Sequence, residues 1–189
     1  MTSPSRPGSV PAGATSEGDA ILLGQGPVRL DVFIDFQCPF CRQFELSAGP
    51  AMAGLIADGR VNAAYHPMNF LDGASTTRYS TRAAAASGCA ADQSRFQEYM
   101  RVLFVNQPPE GSAGLPDAEL AALGEAAGLD QAFASCVSAA PYLDWPSYVT
   151  ARAMADGVNA TPTVLVAGLA VSPEAQTIAA AVDSATGAG

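Results

Sequence analysis

Lysine is absent from this sequence, histidine and tryptophan occur once each, and aromatic side chains make up only 7% of it. The 9 basic residues are therefore all arginine, scattered among 18 acids for a net charge of −9. No basic stripe exists to hold a phosphate backbone, which excludes nucleic acid as a partner. An acidic surface also disfavours anionic lipid, and the charge reads as a solubility feature. No stretch approaches the run of about 20 apolar residues that crosses a bilayer. Glycine-rich phosphate loops are missing. Ser80, Ser87 and Ser138 lie in helical patterns without a nucleophile elbow, which excludes a serine hydrolase. A single histidine, His66, has no acid placed beside it by sequence and reads as a packing or loop residue, as Trp145 does at a helix start.

What is present is a chain of 189 residues, 49% apolar, enough for one domain or one domain with an insertion. Residues 1–20 are rich in Pro, Ser and Gly and lack the apolar centre of a signal peptide. They read as a flexible tether, with any anchor or leader absent from the chain. Val28–Phe36 is apolar on both alternating faces and reads as a central strand. A helix follows from Cys38-Pro39 to the Asp58-Gly59 stop, with a kink or restart expected at Pro50. Val61 to Phe70 reads as a second strand ending at Pro67 or soon after. One helix between two strands makes a βαβ unit, so parallel pairing is expected.

From Ser75 to about Ala140 the pattern is helical throughout. Asp117 and Asp130 are expected to cap helices, and Gly128 to stop one. Asp144-Trp145-Pro146 opens another helix. Thr161–Val166 and Leu169–Val171 then read as strands around Gly168, with a last helix through Val182. The expected fold is α/β with an all-helical insertion: a tether at 1–20, a first part at 21–74, the insertion at 75–140 and a second part at 141–189.

The chemistry concentrates in Cys38-Pro39-Phe40-Cys41, set between a strand and a helix. Two sulfurs three residues apart at a helix start come within disulfide reach without strain. Cys38 precedes the first turn, where free backbone N–H groups and the helix dipole favour a thiolate. The dipole contributes about 0.3–2 kcal/mol, whereas the known range of lowered thiol pKa values requires about 1.4–7 kcal/mol. Hydrogen bonds to the sulfur, such as from the Cys41 thiol or its N–H, must supply the difference. Cys38 is therefore expected to be the exposed nucleophile and Cys41 the shielded resolving thiol. Pro39 stiffens the helix start, and Phe40 adds no charge. The alternatives are half a zinc site, for which Cys89, Cys136 and His66 are poorly spaced, and an inert structural bond, which a loop this short would reward little.

Asp35-Phe-Gln-Cys-Pro-Phe-Cys41 and Asn159-Ala-Thr-Pro-Thr-Val164, separated by a helical segment, resemble the DsbA family of thiol–disulfide oxidoreductases in the thioredoxin superfamily. Tyr65–Asp72 and Asn106–Gly111 further resemble its branch in high-GC Gram-positive bacteria. The resemblance runs from about Ile21 to Val182. It implies a thioredoxin fold, with Pro162 as a cis-proline and Thr161 offering its backbone to a substrate strand near Cys38. It implies no cofactor and no metal. The implied partners are cysteine-containing unfolded or exported proteins and a membrane quinone-linked oxidase, DsbB-like or vitamin K epoxide reductase-like. The chain is expected to be a monomer in an extracytoplasmic compartment, a cytoplasmic one being the alternative. A reductase or isomerase, or a non-catalytic interaction domain of the same fold, are the alternative functions.

The chain departs from the family at Val32, where relatives carry a buried acid. Asp35 or a water is a candidate substitute, against the expectation that an acid at a loop edge is merely solvated. Relatives in the resembling branch also carry a bond matching Cys89–Cys136. If Cys38 pairs with Cys41, that pairing is what remains; two buried free thiols are the alternative.

Overall fold

The computed structural model of the protein describes residues 5–187. At its centre lies β2 (Val28–Ile34), in which Val28, Leu30, Val32, Phe33 and Ile34 are all buried. Apolar side chains on both faces suit a strand with neighbours on either edge and cover on either side. It runs parallel to β3 (Val61–Pro67), with Val28 opposite Val61 and Ile34 opposite Pro67. The crossover is one helix, α1 (Pro39–Ala57), as the βαβ spacing predicts. On the other edge of β2 lies β4 (Thr163–Val166), antiparallel, followed across the Ala167-Gly168 turn by β5 (Leu169–Val171). Gly168 has a φ of +81°, a conformation only glycine adopts freely. A three-residue β1 (Ile21–Leu23) pairs antiparallel with β3 and completes the order β1-β3-β2-β4-β5.

The segment between β3 and β4 is helical: α2 (Tyr79–Asp92), α3 (Phe96–Val105), α4 (Asp117–Ala122), α5 (Gln131–Ala139) and α6 (Trp145–Ala155). Helix α2 is buried almost all round, which its run of alanines permits because small side chains allow close approach. At Gly88 the approach is close: a Cβ there would stand 2.7 Å from Cγ of Pro11. Cys89 on α2 and Cys136 on α5 are joined by a disulfide. The last helix, α7 (Ala175–Ala185), packs on α1 and β4.

Three expectations differ from the structure. Of the kink or restart expected at Pro50, the restart does not occur: helix α1 runs through it unbroken. Pro50 has no N–H to offer the Leu46 carbonyl, and both residues are exposed. Asp117 does not cap α4; it is the first helical residue and pairs with Arg82 instead. Asp130 does cap α5, accepting from the Ala132 N–H at 2.9 Å.

The third difference is the segment read as a tether. Residues 1–4 of it lie outside the described residues, but residues 10–20 pack on the body. Ala14 bridges to Ile21, the buried Trp145 donates from Nε1 to the Gly18 carbonyl at 2.8 Å, and Tyr148 donates to the Glu17 carbonyl at 2.8 Å. The Ala12 N–H donates to Asp92 at 2.8 Å. Apart from the short bridge to Ile21, these anchors come from α2 and α6, far along the chain, where the segment's own sequence does not announce them.

Candidate active site

Strand β2 ends at Ile34, and Cys38 follows as the residue capping α1, with Pro39 in the first turn where its missing N–H costs nothing. The turn is fixed by its own backbone: the Cys38 N–H donates to the Asp35 carbonyl at 3.1 Å. It is also held from the insertion. Gln107 donates to the carbonyls of Phe36 at 3.0 Å and Cys38 at 2.9 Å, and Gln37 donates to the Ser112 carbonyl at 3.1 Å.

Cys38 and Cys41 are not bonded to each other. Cys41 is fully buried, as its position one turn into the helix predicts. Cys38, expected to be exposed, is only 5% exposed. The loop at Thr161-Pro162, whose peptide bond is cis, lies over it, and the Cys38 thiol donates to the Thr161 carbonyl at 3.3 Å. The neighbouring Phe40 is 68% exposed.

The two sulfurs are driven apart in acidity. The hydrogen bond from the Cys41 thiol, aided by the Thr161 side chain and the N–H groups of Cys41 and Phe40, pulls Cys38 down to about 6 against the opposing effect of burial. The Thr161 carbonyl favours the neutral thiol, and the four donors outweigh it. Burial pushes Cys41 well above the ordinary thiol value, and donating to Cys38 and facing its charge add to this. One sulfur is thus ionised near neutrality while the other keeps its proton. That is the arrangement for exchange of a disulfide with a second pair of thiols.

Asp35 is buried rather than solvated at a loop edge. Its carboxylate accepts from Ser80 at 2.6 Å and from the N–H groups of Gln37 and Leu71, each at 2.9 Å. Its own N–H points at the Cys41 sulfur, 3.5 Å away. Burial raises it to about 6 in spite of those three donors. Val32 is buried on β2. Asp35 is therefore the acid nearest the redox turn along the chain. Its partners Ser80 and Leu71 are brought in by the fold, and no signal in the sequence joins them. Gln107 was likewise visible only as part of a turn-rich loop.

His66 and Trp145 lie in the packed body. His66 stacks on Phe33 with ring centroids 4.1 Å apart, and its nitrogens face the Asp19 carbonyl at 2.9 Å and Asp31 at 3.0 Å. Among the described residues, no group of three or more His, Cys, Asp or Glu side chains stands together as a metal site would need.

A family model described as thioredoxin matches residues 19–184. The disulfide bond oxidoreductase DsbG of Mycobacterium tuberculosis, in reduced form, superposes with a TM-score of 0.79 at 32% identity, covering 90% of this chain and 88% of that one. Reduced DsbA of the same organism gives 0.76 at 32% identity, covering 89% and 93%. The chain belongs to the DsbA family of the thioredoxin superfamily. It is a thiol–disulfide oxidoreductase with the thioredoxin fold split by a helical insertion. BdbD from Bacillus subtilis, at 20% identity and a TM-score of 0.76, shares the fold with this DsbA-family chain. Among curated proteins, the serine/threonine-protein kinase PknE of M. tuberculosis is 35% identical to the DsbA-family chain over 128 residues, 63% of it. The chain spans only 23% of the length of that kinase.

Proposed function

We propose that the protein oxidises cysteine pairs in other proteins, with Cys38 as the exchanging sulfur and Cys41 as the resolving one. In the oxidised enzyme a client thiolate attacks Sγ of Cys38, the Cys38–Cys41 bond breaks, and Cys41 leaves and takes up a proton. A second client thiolate then attacks the client sulfur of the mixed disulfide and expels Cys38 as a thiolate. The client has lost two electrons and the enzyme has gained them. Thr161 and Pro162 would hold the client chain beside Cys38, and Pro39 and Phe40 shape the turn.

The observation that carries the oxidising direction is the acidity of Cys38. A thiolate exists only in the reduced enzyme, so its stabilisation favours reduction of the enzyme and hence oxidation of the client. A pKa of about 6 in place of the ordinary value of about 8.5 favours the reduced form at pH 7 by at most about 1.4 kcal/mol. That equals about 30 mV, before allowance for solvent screening. The protein is then a moderate oxidant.

Clients are cysteine-containing unfolded or exported proteins, and the compartment is extracytoplasmic, where the Cys89–Cys136 bond persists. Reoxidation by a membrane quinone-linked oxidase, DsbB-like or vitamin K epoxide reductase-like, completes the cycle, with the enzyme acting as a monomer. No helix among the described residues is long and apolar enough to cross a membrane.

The test is refolding of a reduced, disulfide-requiring protein with stoichiometric oxidised enzyme. Wild type is expected to accelerate disulfide formation and Cys38→Ser to leave the uncatalysed rate. Equal acceleration by both proteins overturns the assignment. Acceleration seen only with scrambled substrate, and none with reduced substrate, moves it to an isomerase.

A further inference from the structure

Beside the redox turn the surface opens into a groove of about 330 Å³. Its walls are Phe40, Gln43, Phe44 and Ser47 on the α1 side, with Thr161, Pro162, Pro173 and Glu174 facing them. On the insertion side Gln107 and Ser112 are bonded across the 36–38 turn. The Thr161-Pro162 loop, whose Thr161 carbonyl is 3.3 Å from the Cys38 sulfur, and Glu174 share one wall of the groove.

The chemistry of the lining is uneven. Phe40 presents an exposed aromatic face, whereas Glu174, just ahead of α7, is the one charged side chain among the described lining residues. No salt bridge engages Glu174 among the described residues. The whole chain is acidic, at −9 and without lysine, so the field over this opening disfavours acidic clients, and Glu174 adds a negative charge in the groove wall itself.

We propose that Glu174 and Phe40 set client preference: the groove selects extended segments in which the reacting cysteine stands within two or three residues of an apolar side chain and an arginine or lysine. This rests on the exchange reaction proposed above and names its substrate class. Phe40 offers the apolar contact, the backbone at Thr161 aligns the segment, and Glu174 meets the cation at the rim. An exposed ion pair of this kind is worth about a two- to fivefold preference, and more against a segment carrying an acid there. The preference is greatest at low ionic strength.

The experiment uses the full chain in oxidised form and a set of single-cysteine peptides identical except for Arg, Gln or Glu two residues from the cysteine. The rate constant for mixed-disulfide formation is measured at low and high salt, and the Arg/Glu ratio is the readout. Wild type is expected to favour Arg over Glu by about fivefold or more at low salt, shrinking with added salt. Glu174→Gln collapses the ratio and Glu174→Arg reverses it. Glu125→Gln, an equal change of net charge on the exposed insertion surface, keeps the wild-type ratio. Should Glu174→Gln and Glu125→Gln change the ratio alike, net charge alone is at work and the inference falls. A ratio near one in wild type overturns it as well. If no peptide reacts with the wild type, the exchange chemistry itself has failed, which is a different outcome from loss of the preference.

Discussion

A carboxylate with no exposure beside a thiolate is an unusual neighbour, and Asp35 makes a prediction of its own. Its pKa is raised to about 6 mainly by burial, whereas in the unfolded chain it titrates near 3.8. Between those two values the folded state holds the proton and the unfolded state does not. Stability therefore falls as pH rises through that window, by up to about 3 kcal/mol, and the cost is complete above the folded value. Urea unfolding of the oxidised protein, in which Cys38 does not titrate, measures this directly. Asp35→Asn is expected to flatten the loss between pH 4 and pH 7. Its amide nitrogen faces the Leu71 N–H where an oxygen stood, so it is also less stable at every pH by about 1–3 kcal/mol. Parallel pH curves for the two proteins would rule out Asp35 as the titrating group. Cys38 has the opposite sign. Lowered to about 6 by donors to its sulfur, it stabilises the reduced fold at high pH, and that gain is lost as pH falls through about 6.

Among the elements, α2 and α5 are tied by the Cys89–Cys136 bond across a sequence separation of 47. A closed loop of that length restricts the unfolded chain strongly. The double variant Cys89→Ala/Cys136→Ala is expected to lose about 2–4 kcal/mol in denaturant unfolding while keeping Cys38 reactive. A variant as stable as wild type would place the bond's role elsewhere. How far the elements could be read from sequence depended on whether their partners are local. Val28–Ile34 announced itself because a strand covered on both faces is apolar at nearly every position. The βαβ unit and the helices of the insertion followed from period and stop signals in their own residues. The three-residue β1 is too short to carry a period, and Asp117 carried a cap signal that its pairing with Arg82 overrode. Cys38 and Cys41 were legible from spacing alone. The burial of Asp35, the latch from Gln107 and the groove lined by Phe40 and Glu174 were not, because each depends on side chains or backbone groups brought from distant parts of the chain.

For the whole molecule, the early segment behaves as a strap rather than a tail. Trp145 and Tyr148 on α6 have their acceptors in Gly18 and Glu17, and Pro11 sits against Gly88 of α2. Deleting residues 1–18 removes those acceptors and opens the Trp145 pocket. The expected loss is about 2–4 kcal/mol, or roughly 4–16 °C in Tm for a chain of this length. Because Trp145 is the only tryptophan, a red shift of its emission reports the opening without ambiguity. An unchanged Tm and spectrum would show that the strap contributes nothing.

Gln107 has a consequence at this scale too. By clasping the carbonyls of Phe36 and Cys38 from the insertion side, it moors the redox turn, and the groove walled by Phe40 and Thr161 becomes a quay beside the sulfur. A visiting chain then has a steady bank along which to lie, and whatever discrimination the enzyme exercises there is written into that wall.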